Sequence, residues 1–149
     1  MRLWHYKLIP YLPRLQLLSQ WRECCCIAKS MVEKGTPNHI LVNKILDYPL
    51  GMFTTYTKIV RDEITSRGYN ISSAALKKYR SNIDKYSKKL NISESGSIDE
   101  LYEGWHNDIY LRQCLYNLEE KAMCEGVSAE EWQRIYDKFK DFTPLWEGK

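Results

Sequence analysis

The sequence predicts an all-α fold, a compact, orthogonally packed helical single domain over residues 1–149 with an extended N-terminal arm. Three observations predict it. Apolar side chains recur at steps of three and four residues through most of the chain, the period of a helix with one buried face. No segment keeps the alternation of a half-buried strand, and no internal repeat is visible. Glycines and prolines fall where each periodic segment ends. A chain of 149 residues is long enough to bury a core without disulfide or metal staples.

Residues 1–12 contain Pro10 and lack helical periodicity, so they read as the arm. Pro13 then stands where proline is favoured, in a first helical turn. The stripe Leu18, Trp21, Cys25, Ala28, Val32 carries a helix to Lys34, which Gly35 and Pro37 end. Residues 38–48 read as a short helix stopped by Pro49 and Gly51. A helix from 52 to Arg67 follows, with Phe53, Tyr56, Val60 and Ile64 inward and Gly68 as its stop. Residues 73–90 repeat the pattern with Ala75, Tyr79, Ile83, Tyr86 and Leu90, and Asn91 to Ser97 read as a polar loop. One helix is expected over 99–125, with Leu111, Leu115, Leu118 and Ala122 inside and Gly126 closing it. Ser128 and Glu131 form a capping box that opens a last helix to about Lys140.

Apolar residues make up 44% of the chain, too many for a disordered protein. No apolar run approaches a membrane span. Arg2, His5 and Lys7 interrupt the opening residues, so no secretory signal is expected. Five cysteines, three of them adjacent at 24–26, do not form a disulfide framework. A reducing, cytoplasmic location follows as the expectation. A net charge of +3 permits a polyanionic partner without demanding one.

Several groups could carry chemistry. Lys77, Lys78, Arg80, Lys85, Lys88 and Lys89 make one helix strongly basic. They could lie along phosphates or simply solvate a helix face. His106, Asn107 and Asp108 offer either an acid–base or phosphate-donor group or an ordinary helix cap. His5, His39 and His106 stand far apart and no CxxC occurs, so neither a metal site nor a catalytic thiol is expected. Arg22 and Glu23 lie beside the first helix's apolar stripe, with Glu23 about 100° further round.

Four pieces stand in order along the chain: Met1-Arg2-Leu3, Trp21-Arg22-Glu23, Arg67-Gly68-Tyr69-Asn70-Ile71 and Asn117-Leu118-Glu119-Glu120-Lys121. Together they resemble the pyrimidine-dimer DNA glycosylases of the endonuclease V type. The resemblance covers residues 1–71 and about 106–140. It implies a single helical DNA-glycosylase-like domain. It also implies a repair enzyme that removes a damaged pyrimidine, a UV dimer above all, and cuts the resulting abasic site by β-elimination. The nucleophile in that family is the chain's own α-amine. Such an amine titrates near about 7.7–8.0, against about 10.4 for lysine, so a useful fraction is neutral near neutral pH.

Carried to this chain, the resemblance gives Met1 the amine and Glu23 the catalytic carboxylate. Arg2, Arg22 and Lys121 would hold the DNA, joined by His106 and Asn107. Arg2 is bulky, so Met1 is expected to be retained and to bear the amine. The expected partner is damaged double-stranded DNA, whose target nucleotide must be extruded. No cofactor, membrane or obligate protein partner is expected. The chain departs from the family pattern at Gln16, Cys26 and Asn117, where the viral enzymes have a histidine and two arginines. A catalytically altered DNA-binding protein of the same fold is the alternative, and a helical protein with a protein partner is a third reading.

Overall fold

The computed structural model describes residues 1–90 and 101–142. The polar loop expected at 91–97 and the C-terminal Trp146 lie outside the described residues. The described chain is all-α. Its helices are α1 (Arg14–Lys34), α2 (Leu50–Ser66), α3 (Ser73–Leu90), α4 (Asp108–Met123) and α5 (Ala129–Phe139). Short 3-10 turns occupy Tyr6–Tyr11, Asn43–Asp47 and Lys140–Phe142. None of these helices is long and apolar enough to cross a membrane.

The first helix is central. It packs against α2 and α3, while α5 packs on α4 and on the N-terminal turn. Its buried side chains are Leu17, Gln20, Trp21, Cys24, Ile27, Ala28 and Met31. The expected stripe is therefore displaced. Leu18, Cys25 and Val32 form its half-buried rim. Two neighbouring helices and the N-terminal segment cover α1 from different sides, so its buried arc is wider than one stripe, and it includes a glutamine and a small thiol.

The ends of the helices follow local chemistry. Gly35 takes a left-handed φ of 73° and donates to the Met31 carbonyl, closing α1. Gly68, at φ 82°, follows the Arg67 cap of α2 and donates to the Thr65 carbonyl at 3.0 Å. The capping box is present: Ser128 Oγ accepts from Glu131 N, and Glu131 Oε1 accepts from Ser128 N. Glu131 also accepts from the Arg14 amide at 3.0 Å, which joins the start of α5 to the start of α1.

Three expectations are corrected. The residues 38–48 form only the single turn Asn43–Asp47. The helix expected from 99 begins at Asp108, because Tyr102 and Gly104 adopt positive φ (53° and 86°) and Asn107 caps the helix that follows. The N-terminal arm is extended only over its first residues and is no free arm. Leu3, Trp4, Leu8, Ile9 and Leu12 belong to the core. Arg67 closes the turn behind them by donating to the carbonyls of Leu12 (2.7 Å) and Pro10 (3.1 Å), while its Nε pairs with Glu63 at 2.8 Å.

Candidate active site

The opening residues run through the centre of the molecule, and side chains from four places hold their backbone. Gln20 of α1 uses both ends of its amide. Its Oε1 accepts from Trp4 N at 2.8 Å and from Tyr56 Oη at 2.9 Å. Its Nε2 donates to the Arg2 carbonyl at 3.0 Å and to Glu23 Oε2 at 3.2 Å. All four hydrogen bonds open to a glutamine amide are made. Tyr56 of α2 shares its one hydroxyl proton between Gln20 Oε1 and the closer Trp4 carbonyl at 2.6 Å, and Tyr110 of α4 donates to the Leu3 carbonyl.

Two histidines finish the cradle. The His5 ring donates from Nε2 to the His106 carbonyl at 2.9 Å and accepts the Lys7 amide on Nδ1. His106 Nδ1 accepts the Tyr6 amide at 3.1 Å. The two rings stack at 5.1 Å, amid Tyr56, Tyr102, Trp105 and Tyr110.

This anchoring brings Met1 to the mouth of a polar cleft of about 250 Å³. Met1, Arg2, Glu23, Asn117 and Lys121 line it, with Trp4 and Leu41. Residues from four distant stretches of sequence thus converge. Glu23 is half-buried, and burial raises its pKa from the usual carboxylate range. The α-ammonium group and the Arg2 amide, with weaker help from His39 and Arg22, pull the other way. The carboxylate therefore feels the charge of the chain's first nitrogen. Arg2 stacks its guanidinium over Trp4 at 5.5 Å and donates to Cys114 Sγ.

A family model described as Pyrimidine dimer DNA glycosylase matches residues 1–77. The chain belongs to that family. No curated protein and no solved structure matches it. The family is one of DNA-repair enzymes that act on DNA, and the matched residues include Met1, Arg2, Arg22 and Glu23. Lys121 and Asn117 lie beyond the match, yet in this chain they line the same cleft as Met1 and Glu23.

The remaining expected site residues are disposed differently. Arg22 is exposed beside the cleft, and its Nη2 donates to Ser19 Oγ at 3.0 Å. His106 is corrected from surface to interior. It is 7% exposed, and its ring holds the Tyr6 amide, so it does not reach a phosphate. Asn107 is exposed, but its side chain caps α4, accepting from Tyr110 N at 2.9 Å and donating to the Gly104 carbonyl at 3.2 Å. Of the departing positions, only Asn117 lines the cleft.

The basic helix α3 turns Tyr79, Ile83 and Tyr86 inward and leaves Lys77, Lys78, Arg80, Lys85 and Lys88 in solvent. Among the described residues no group of His, Cys, Asp or Glu is arranged to hold a metal ion.

The residues missed from sequence are those of the cradle: Gln20, Tyr56, Tyr110 and His5. One signal was available. Gln20 is a polar residue one step before Trp21 on an otherwise apolar face, and a glutamine there must find partners.

The histidine pair sets an acid limit. Burial lowers the pKa of His5 from 6.5 to about 4 and that of His106 to about 2. Both rings are neutral when folded, whereas the unfolded chain takes up protons near 6.5. Their contribution is complete above pH 6.5 and is lost as the pH falls toward 4. At pH 5 the loss is on the order of 2 kcal/mol for each ring, 1.5 pH units below the unfolded value. Urea unfolding at pH 7 and pH 5 should show a clear fall in midpoint. An unchanged midpoint means the rings accept protons without unfolding.

Proposed function

We propose that this protein is a DNA glycosylase with AP-lyase activity that removes a damaged pyrimidine, with a UV pyrimidine dimer as the first substrate to test. The α-nitrogen of Met1 is the nucleophile and Glu23 the catalytic carboxylate. The observation that supports this reading is the meeting of Met1 and Glu23 in one cleft with Arg2 and Lys121, at the end of a segment held by Gln20, Tyr56 and Tyr110.

The chemistry runs as follows. The neutral amine gives its lone pair to the sugar C1′ as the glycosidic bond breaks. The bond's electrons leave with the base, which takes up a proton. Glu23, negatively charged, steadies the cationic sugar as it forms. The amine loses its proton and the ring oxygen departs, which leaves an imine between the Met1 nitrogen and C1′. The imine acidifies the C2′ proton. A base takes that proton, the electron pair forms the C2′–C3′ double bond, and the 3′ phosphate leaves. Glu23 suits this step, because its partial burial raises its affinity for a proton. Water then hydrolyses the imine and frees the amine. Arg2, Arg22 and Lys121 serve the DNA backbone and supply a salt-dependent hold.

The test is reductive trapping. Borohydride reduces the imine to a stable secondary amine, so the protein with a free N-terminus should become covalently joined to abasic-site DNA. Acetylating the α-amine, or adding one residue before Met1, should abolish the adduct. An adduct that survives blocking would place the nucleophile elsewhere. DNA binding with no adduct from the unblocked protein would favour the altered, binding-only alternative. Irradiated duplex run alongside decides whether a dimer is the lesion.

A further inference from the structure

Beside the cleft lies a loop whose tip is apolar and open to solvent. Ile40 is 85% exposed and Leu41 is 50% exposed. Polar groups hold the loop from behind. Asn43 Oδ1 accepts from His39 N at 3.0 Å and from Thr36 Oγ1 at 3.2 Å. Thr36 Oγ1 accepts from Asn38 N, and His39 Nδ1 accepts from Leu41 N. Asn38 adopts a positive φ of 57°, and Val42 and Ile45 anchor the far side in the core. The tip is thus braced in one shape while its two large aliphatic side chains face water. Loops exposed to solvent alone are ordinarily polar.

Its position narrows the partner. Leu41 lines the cleft that holds Met1 and Glu23, and it also lines an adjoining hollow of about 270 Å³ with Ile40, Lys44 and Ile109. Ile109 is itself 63% exposed. The apolar ridge is therefore flanked by cations, Lys44 on one side and Arg2 with Lys121 on the other. That combination suits a polyanion with an apolar interior, and a stacked DNA duplex is one. Proteins that kink DNA insert aliphatic side chains between base steps while basic groups hold the phosphates.

We propose that Ile40 and Leu41 form a wedge that enters the base stack of duplex DNA beside the target nucleotide and holds it open toward the cleft. The inference rests on the proposed reading of that cleft, but it can be tested apart from the chemistry. Two oligonucleotides carry the same abasic site, one single-stranded and one in a duplex, and the duplex has 2-aminopurine next to the site. The double variant Ile40→Ser, Leu41→Ser is compared with the unaltered protein. Both positions are exposed, and thermal unfolding checks that the variant is folded.

The ratio of duplex to single-strand trapping should fall about tenfold or more, because a single strand needs no wedge. Restoring bulk with Ile40→Phe should recover the ratio. The unaltered protein should raise 2-aminopurine fluorescence on binding, and the double variant should not. A ratio within twofold of the unaltered protein, with equal fluorescence, overturns the wedge. So does a self-association of the unaltered protein that the double variant dissolves, if fluorescence is equal in both, since the tip then meets a second copy. If the unaltered protein traps neither substrate, the lyase reading fails. Fluorescence that depends on residues 40 and 41 would still support the wedge in that case, and equal fluorescence would overturn it.

Discussion

Glu23→Gln should lower strand cleavage at abasic sites by about 10²- to 10⁴-fold, the usual range for a positioned acid–base group. The substitution keeps the side chain's shape and its place in the cleft beside Gln20. It removes the negative charge that balances the developing cation and the group that accepts a proton. DNA affinity should hold or rise slightly, since one negative charge leaves a cleft lined by Arg2 and Lys121. The pH profile supplies a second reading. Burial raises the pKa of Glu23, so cleavage should fall on the acid side at a pH above the ordinary carboxylate range. The part of that limb due to Glu23 should be absent in the variant, which keeps only the fall set by protonation of the nucleophilic amine. Single-turnover cleavage and filter binding, each measured against pH, check both parts. Cleavage within threefold of the unaltered protein would remove Glu23 from the chemistry.

Gln20→Leu should be the most destabilising substitution near the site, although it touches no reacting atom. Leucine fills nearly the same space but offers no polar atoms. The Trp4 amide and the Arg2 carbonyl would then lose their side-chain partner in the interior. Each orphaned buried group costs about 1–3 kcal/mol, so a loss of roughly 2–6 kcal/mol is expected. That is a large share of a typical stability of about 5–15 kcal/mol. Urea unfolding measures it, and a loss under about 1 kcal/mol would mean that water or a shifted backbone replaces the amide. In whatever fraction remains folded, kcat should fall, because Met1 and Glu23 lose the one side chain that ties their two segments together.

Periodicity and punctuation made most of the helices legible. The spacing of Phe53, Tyr56, Val60 and Ile64 and the stop at Gly68 gave α2 nearly to the residue. Ser128 and Glu131 gave the start of α5. The arm was misread because a segment without helical period looks loose, and nothing local records that Tyr56, His106 and Tyr110 will come to hold it. The face of α1 was displaced because an apolar stripe is counted without Gln20 and Cys24, the polar and small residues at its buried centre. Met1 and Glu23, which line one cleft, were singled out through ordered motifs. The cradle was missed because its partners are far apart in the chain, as Leu3 and Tyr110 are. His106 was misassigned because a histidine at the front of a helix looks the same in sequence whether it faces water or the core.

The pinned N-terminus also has a consequence for the order of assembly. Leu3 and Tyr6 depend on partners 107 and 100 residues further along the chain, since the carbonyl of Leu3 waits for Tyr110 and the amide of Tyr6 waits for His106. Contacts this distant require closing most of the chain into a loop before they repay that entropy. A growing chain can build α1 and α2 early and hold Arg2 and Trp4 through Gln20 and Tyr56, but Leu3 and Tyr6 keep unpartnered backbone groups until His106 and Tyr110 have emerged. The segment that carries the proposed nucleophile is thus fully seated only long after it is made.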